Sequence, residues 1–332
     1  ARPPSGAGER PPGPCRRHER RTTFGEGPHL PAMRRRDFLI ASATLAALVP
    51  IASAHVSHHA APNVLVFREV RLFDGERTID HANVVVRDGT VQAVGGAPDI
   101  HHATTVIEGR GRTLLPGLID SHVHVADDAK SALGQTLALG VTTVLDMFSG
   151  GERLKTLKRV AAEDSSDVAD VRTAGTGVTV PGGHPTQMGG PPIPTLGSAS
   201  EAEAFVTARV AEGADYIKII YDDLSSLGKP VPMLDRPTLD AVIAAAHRHG
   251  KLAIVHVLSE KQAREAIDVG ADVLAHLFKG SAVSPSLGSF ASKHRVAIIP
   301  TLSVICGHAG AQSPLADQEL GVFIRQPWRR EP

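Results

Sequence analysis

The segment Tyr216-Ile217-Lys218-Ile219-Ile220 is a short apolar run that predicts a buried β-strand, and a similar run follows at Leu252-Ala253-Ile254-Val255-His256-Val257. Residues Thr238–His249, which lie between the two runs, predict a helix. Strands that alternate with helices pair in parallel, because the helical crossover returns the chain to the same end of the sheet. This unit therefore predicts an α/β fold.

The same alternation extends in both directions and gives seven predicted strands with six intervening helices. The predicted strands are Leu114–Ile119, Thr142–Asp146, Val171–Gly175, Tyr216–Ile220, Leu252–Val257, Val273–Leu277 and Val296–Pro300. The predicted helices are Lys130–Leu139, Arg153–Ala162, Glu201–Glu212, Thr238–His249, Lys261–Val269 and Pro285–Lys293. This pattern is typical of a parallel β/α barrel or a doubly wound sheet. No Gly-x-Gly-x-x-Gly follows the first strand, so dinucleotide binding has little support.

Residues 63–113 have a different rhythm, in which short strands are separated by turns such as Asp74-Gly75 and Asp88-Gly89. We expect a small β-sandwich part here. Its predicted strands are Val64–Phe67, Glu69–Phe73, Asn83–Arg87, Val91–Val94 and Thr105–Glu108.

The N-terminal region predicts export. Met33-Arg34-Arg35-Arg36-Asp37-Phe38-Leu39 is followed by an apolar stretch and by Ala52-Ser53-Ala54, which together are typical of a secretory signal peptide. The charged part resembles the twin-arginine export signal, so we expect a signal peptide at 33–54 and a periplasmic or secreted protein. We interpret residues 1–32, rich in Pro, Gly and Arg, as disordered or wrongly included upstream of the true start.

Composition limits the classes of partner. The 332 residues are 42% hydrophobic and carry no formal net charge, but residues 1–36 hold nine Arg against three Glu. Beyond residue 54 there are 26 basic and 31 acidic side chains, which gives no support to a nucleic-acid partner. The apolar stretch before residue 54 is too short for a stable membrane span. The sequence leaves a homo-oligomer open.

Five side chains follow or interrupt the predicted barrel strands in a pattern that indicates a metal site. His122 and His124 lie two residues apart, so that in an extended segment both point to one side. Lys218 interrupts an apolar strand, and His256 and His276 end the next two strands. Each has an ordinary alternative: a chance His-x-His among 17 His, a Lys paired at a strand edge, or a satisfied core His. Their shared position at one end of the strands favours the metal site.

The segment Leu115-Pro116-Gly117-Leu118-Ile119-Asp120-Ser121-His122-Val123-His124 and the order His-x-His, Lys, His, His resemble the amidohydrolase superfamily, in its binuclear, carboxylated-lysine branch. The resemblance covers about residues 63–303 and implies a (β/α)8 TIM-type barrel with a small N-terminal β-sandwich domain. Within it, Pro181-Gly182-Gly183-His184-Pro185 and Tyr221 are similar to the Xaa-Pro dipeptidase and imidazolonepropionase-like group.

By this resemblance, the site holds two divalent metal ions. His122 and His124 would bind the first, His256 and His276 the second, and a carbon dioxide-derived carbamate on Lys218 would bridge them. Mixed imidazole and oxygen ligation suits zinc. A bridging hydroxide would attack the substrate carbonyl, while His184 and Tyr221 would orient the substrate or stabilise the developing oxyanion. A loop His and a strand-edge Tyr are the alternatives for these two residues.

The sequence departs from the superfamily at its C-terminal end, where the eighth strand would carry a metal-binding Asp that moves a proton. We find no such strand and expect an incomplete barrel at 114–303, followed by an irregular tail at 304–332. The leading interpretation is a hydrolase of an amide, dipeptide or cyclic-amide C–N bond, impaired by truncation. A one-metal deaminase, against which Lys218 argues, and a catalytically inactive remnant or binding protein are the alternatives.

Overall fold

A computed structural model describes residues 63–96, 103–278 and 283–302. The predicted signal peptide at 33–54, the segment 1–32 and the tail at 304–332 lie outside these ranges, as does the region where an eighth barrel strand was sought. Among the described residues, no helix has the length and apolar character needed to cross a bilayer.

Residues 63–114 form a five-stranded sheet in the order β3-β2-β1-β4, with β5 also paired to β1. Its strands are β1 (Val64–Phe73), β2 (Thr78–Arg87), β3 (Thr90–Val94), β4 (Thr105–Glu108) and β5 (Thr113–Leu114). Strand β1 pairs antiparallel with β2 and parallel with β4 and β5. Val66 and Val70 of β1 and Val84 of β2 are buried.

The prediction of two strands at Val64–Phe67 and Glu69–Phe73 was wrong, because β1 runs through both without a turn. Glu69 has a φ of 52°, and the register with β2 shifts between Phe67 and Val70. This is a β-bulge: one extra residue is absorbed in a left-handed conformation and the strand continues. The polar residues at this point therefore mark the bulge, and the chain does not reverse there.

The rest of the described chain contains the seven parallel strands that the sequence predicts, with a helix between each consecutive pair. The strands are β6 (Leu118–Val123), β7 (Val141–Asp146), β8 (Asp170–Thr173), β9 (Ile217–Ile220), β10 (Ala253–His256), β11 (Val273–Ala275) and β12 (Ala297–Ile299). The helices are α1 (Ala129–Ala138), α2 (Glu152–Glu163), α3 (Ala202–Ala211), α4 (Arg236–Arg248), α5 (Glu260–Asp268) and α6 (Ser286–Lys293).

Sequential neighbours pair throughout, in one group β6-β7-β8 and a second group β9-β10-β11-β12. The two groups meet where Val178, beyond the end of β8, forms a parallel bridge with Ile219. Val178 N donates to Lys218 O at 2.8 Å, and Ile220 N donates to Val178 O at 2.9 Å. A strictly sequential order of parallel strands is that of a TIM-type barrel and differs from a doubly wound sheet, whose order reverses.

Within the described strands the barrel is not closed, since β6 and β12 each have one strand neighbour. The mixed α/β fold with parallel sheets is therefore confirmed, and its strand order is consistent with the TIM type. Helices cover the outer face, and their starts are set by side-chain caps. The Asp235 carboxylate accepts from Thr238 N at 2.9 Å at the start of α4, and Ser259 Oγ accepts from Gln262 N at 3.3 Å at the start of α5.

The first barrel strand begins and ends four residues later than predicted. Leu114 belongs to β5, where it pairs with Leu72, and the barrel strand starts at Leu118, whose amide donates to Gly140 O at 3.0 Å. Gly117 separates the two strands, and a Cβ there would lie 2.2 Å from Thr142 Oγ1. Only a glycine permits that approach. The shift places His122 inside β6 and His124 directly after it.

The core between β9, β10 and the outer helices gives a stability prediction. Leu239 of α4 is fully buried against it, whereas Leu252, just before β10, is half exposed. We expect Leu239→Ala to lower the free energy of unfolding by about 2 to 5 kcal/mol, because it removes buried methyl groups and leaves a cavity. Leu252→Ala should cost about 1 kcal/mol or less. Urea denaturation of both variants measures the difference, and equal losses would contradict the placement of α4 on the core.

Candidate active site

The side chains at the carboxyl ends of the barrel strands come together in one cluster. The ring centroids of His122 and His276 are 4.6 Å apart, and those of His256 and His276 are 4.5 Å apart. His124 lies 5.5 Å from His122, and His184 lies 5.3 Å from His256. Five histidines that are up to 154 residues apart in the sequence thus share one end of the barrel, as parallel strands require.

Lys218 lies in the interior of the barrel because side chains alternate along β9. Ile217 and Ile219 point outward into the core shared with the helices, so Lys218 and Ile220 point inward to the cavity. The Lys218 side chain is 3% exposed, and among the described residues no hydrogen-bond partner reaches its Nζ. Burial lowers the pKa of the Lys218 amine from 10.5 to about 7.

Burial also holds the surrounding imidazoles neutral. Loss of solvation lowers the pKa of His122 and His276 to about 2, with a further decrease from the nearby Lys218 charge and the other histidines. The pKa values of His124, His184 and His256 are lowered as well, first by burial. Neutral imidazole is the form that binds metal ions, so the cluster is prepared for ligation at neutral pH.

Hydrogen bonds fix the orientation of individual rings. His276 Nδ1 lies 2.8 Å from Thr301 Oγ1, and His256 Nε2 lies 3.4 Å from Asp222 Oδ2. The Asp222 carboxylate is buried and accepts from Leu224 N at 3.1 Å and from Gln262 Nε2 at 3.3 Å. Carboxylates and hydroxyls in such positions behind histidines are common around metal sites, where they set the tautomer and the ring angle.

Asp146 fixes the segment that carries His122 and His124. Sequence reasoning did not identify this residue. It ends β7, is fully buried, and accepts from Val125 N at 3.1 Å, one residue beyond His124. Its two oxygens also accept from Ser149 Oγ at 2.9 Å and Thr173 Oγ1 at 2.7 Å. A carboxylate at the end of an apolar strand was the available signal, because such a group has to be paired when it is buried.

The donor atoms of these residues suit a divalent metal in their chemistry but not yet in their arrangement. Within the described ranges, no three His, Cys, Asp or Glu side chains are arranged so that they could already hold an ion. The donor chemistry nevertheless fits: His122 Nδ1 and Lys218 Nζ are both buried and lack a hydrogen-bond partner in the described part of the chain. Buried polar atoms without partners are rare in native proteins. Neutral imidazoles next to a lysine with a lowered pKa form a donor set suited to zinc.

A cavity of about 520 Å³ opens over the cluster. All five predicted ligands line it, together with His184, whose Nδ1 accepts from Gln187 Nε2 at 2.9 Å. In the neutral imidazole this bond places the proton on Nε2, which is left as the donor of the ring. The other walls are mostly apolar and were not foreseen from the sequence. They include Met147, Phe148, Met188, Leu224, Leu227 and Leu258, and one charged side chain, Arg153, lies among them.

The structure does not bring Tyr221 to this cavity. Its side chain is 2% exposed and packs in the outer core, and its hydroxyl donates to Glu265 Oε2 at 2.9 Å, on α5. The alternation along β9 gives the reason: Lys218 and Ile220 point inward, so the next residue points outward. The expectation that Tyr221 contacts the substrate, which rested on the resemblance, therefore has no support from this geometry, and the strand-edge alternative describes its position.

The profile of the amidohydrolase family matches residues 113–278, which is half of the chain and includes β6, β9, β10 and β11. The chain belongs to the amidohydrolase family. A crystal structure of a Xaa-Pro dipeptidase with methionine bound in its active site superposes with a TM-score of 0.62. It shares 22% identity and covers 73% of this chain and 67% of its own, which supports the fold alone.

Curated relatives within the amidohydrolases match over shorter stretches. An adenine deaminase of Deinococcus deserti is 41% identical over 58 residues, 18% of this chain and 10% of the relative. An imidazolonepropionase of Halobacterium salinarum is 35% identical over 108 residues, 29% of this chain and 26% of the relative. This chain thus matches about a quarter or less of the length of these relatives.

The burial of Lys218 predicts a pH-dependent stability difference. The pKa of Lys218 is about 7 in the folded chain and near 10.5 when unfolded, so the cost of the buried charge is complete below pH 7 and declines as the pH rises toward 10.5. We expect Lys218→Met to stabilise the chelator-treated protein more at pH 6.5 than at pH 9.5, by on the order of 3 kcal/mol. Urea denaturation in carbon dioxide-free buffer measures this.

The matched control is Lys155→Met on α2, because the Lys155 side chain is 69% exposed and pairs with Glu152 at the surface. Its effect should be small and should not depend on pH over this range. A Lys218→Met effect that is equally independent of pH would contradict the depressed pKa.

Proposed function

We propose that this protein is a metal-dependent hydrolase that cleaves the C–N bond of an amide, a dipeptide or a cyclic amide. The observation that carries the proposal is the convergence of His122, His124, Lys218, His256 and His276 on one cavity, with the Lys218 amine buried and unpaired at its centre. Membership of the amidohydrolase family supports it, and its peptidase-like form is proposed by analogy with the Xaa-Pro dipeptidase that shares the fold.

In this proposal, His122 and His124 would hold one divalent ion, and His256 and His276 would hold the other. Lys218 would complete the ligand set as a carbamate, since an amine with a pKa of about 7 is largely neutral at physiological pH and can react with carbon dioxide. Divalent ions bound there would supply Lewis acidity toward a carbonyl oxygen and lower the pKa of water. Zinc suits this ligand set.

The protein's own side chains would position the substrate. His184 Nε2–H, held by the Gln187 bond to Nδ1, is directed to donate to a carbonyl oxygen as negative charge develops on it. A substrate bound against the apolar walls would displace water from them, which would strengthen the interaction of a developing charge with the surrounding dipoles. The Asp222 and Thr301 contacts hold His256 and His276 in place during the reaction.

Deamination is the second candidate, because adenine deaminases are among the relatives with the highest local identity. An inactive remnant or binding protein remains the third. The experiment that separates them is an assay of the purified chain from residue 55, with zinc and bicarbonate, against dipeptides, N-acyl amino acids, cyclic amides and adenine. Hydrolysis of a dipeptide, an N-acyl amino acid or a cyclic amide supports the C–N hydrolase. Ammonia release from adenine supports the deaminase, and metal binding without turnover supports the inactive remnant or binding protein.

We further propose export through the twin-arginine pathway, on the sequence of residues 33–54 alone. Fusion of this segment to a periplasmic reporter tests it. Loss of export when Arg35 and Arg36 are both changed to Lys would support the proposal, and export that persists would contradict it.

Metal content gives a direct prediction for the site. The purified protein should contain about two zinc ions per chain, and His122→Ala or His256→Ala should remove at least half of them, because each change removes a ligand of one ion. Elemental analysis after gel filtration measures the ratio. His247→Ala is the control, since this exposed histidine of α4 pairs with Asp272 away from the cavity and should leave the metal content unchanged. Full metal loading in both cavity variants would contradict the ligand assignment.

His184 and Tyr221 should respond differently to mutation. We expect His184→Ala to lower kcat/KM by about 10- to 100-fold, because it removes a donor from the cavity. Tyr221→Phe should leave kcat/KM within about threefold and lower the free energy of unfolding by about 1 kcal/mol, through loss of the Glu265 hydrogen bond. Steady-state kinetics and urea denaturation of both variants test this. A large kinetic effect of Tyr221→Phe without destabilisation would restore Tyr221 to the substrate site.

A further inference from the structure

The ionisable side chains that line the cavity, among the described residues, are all of basic types. Among the described residues that line it, the ionisable side chains are histidines, Lys218 and Arg153, and none is a carboxylate. Lys218 and four of these histidines are already assigned to the metals in the proposed function, and His184 to the substrate carbonyl, whereas Arg153 has no role there. The Arg153 charge is therefore free to attract an anionic group of the substrate.

Arg153 lies in the first turn of α2, at the rim of the cavity. Its Nη1 is 3.0 Å from Asp127 Oδ1, in the loop that follows His124. The Arg153 side chain is 40% exposed, and that of Asp127 is 98% exposed. Ion pairs this accessible contribute little to stability, so a ligand carboxylate can take the place of Asp127 at small cost.

Arg153 lines the same cavity as the histidine cluster, so its guanidinium and the cluster can contact one bound molecule. Arg153 also borders a second cavity of about 760 Å³, which shares Phe148, Pro185 and Met188 with the first. The guanidinium therefore stands between the metal-binding end and an open region with room for part of a larger substrate.

We propose that Arg153 binds a carboxylate of the substrate and so selects amides that carry a free acid group beside the scissile nitrogen, such as N-acyl amino acids and dipeptides. This inference rests on the proposed C–N hydrolase function and names its substrate class. The planar guanidinium matches a carboxylate with two parallel hydrogen bonds, which a lysine cannot reproduce. The apolar walls formed by Phe148 and Met188 would receive the aliphatic or aromatic part of the same molecule.

The test uses two pairs of compounds that differ only in the acid group. N-methylsulfonyl-L-leucine and N-methylsulfonyl-L-leucinol resist hydrolysis and report binding to the zinc-loaded protein by calorimetry. N-acetyl-L-leucine and N-acetyl-L-leucinol report turnover. We expect the wild-type protein to bind the acid of the first pair at least about 10-fold more tightly than the alcohol, as a charge-assisted hydrogen bond allows. In Arg153→Gln the two should bind within about threefold of each other.

Two variants serve as controls. Arg159→Gln changes an exposed arginine on the outer side of the same helix, paired with Glu163, and should keep the acid preference. Asp127→Asn removes the present partner of Arg153 and should keep or increase that preference. A loss of preference in Asp127→Asn as large as in Arg153→Gln would show that the ion pair holds the helix and would overturn the inference.

The two proposals fail in different ways. If N-acetyl-L-leucinol is hydrolysed as efficiently as the acid, and the wild-type protein binds both sulfonamides equally, the carboxylate site is refuted while the hydrolase function stands. If the acid sulfonamide is preferred through Arg153 but no amide is hydrolysed, the site is supported as a binding site and the proposed hydrolase function is refuted.

Discussion

The parallel pairing of β9 with β10 is the constraint on which the site depends. It places Lys218 beside Ile254 and Ile220 beside His256, so that an amine and an imidazole from different strands enter the same interior. Ile217, Ile219, Ala253 and Val255 fill the opposite face against the helices, and a shift of one residue would exchange the two faces. The register is therefore set by the burial of apolar side chains, and the Lys218 amine is buried as a consequence.

A lysine buried without a partner is unfavourable for the folded chain, and its surroundings do not relieve that cost. The histidines on four neighbouring segments offer it no negative charge, and burial lowers the pKa of each of them. The nearest buried carboxylates are already engaged: Asp146 with Val125, Ser149 and Thr173, and Asp222 with Leu224 and Gln262. Buried ionisable groups with shifted pKa values and no partner are typical of functional sites.

Patterns of local sequence predicted most of the fold and the site, because both depend on short-range alternation. Seven strands, six helices and the inward positions of Lys218 and His256 follow from apolar runs whose side chains alternate. The same reasoning failed where tertiary contacts override a local signal. The bulge at Glu69 continues a strand that its sequence divides, and Leu114 pairs with Leu72 in the N-terminal sheet and not in the barrel.

The sequence by itself supplied the proposed ligand set, because side-chain types and their order along the strands are linear information. It also determined the parallel α/β architecture, since hydrophobic periodicity is written residue by residue. Only the tertiary structure decided which side chains face the cavity from loops and helices. Arg153, Asp146 and the apolar walls come from segments whose meeting point depends on how strands and helices pack, and Tyr221 was excluded by the face it occupies on β9. Contacts between residues distant in sequence carry no local pattern, so packing alone reveals them.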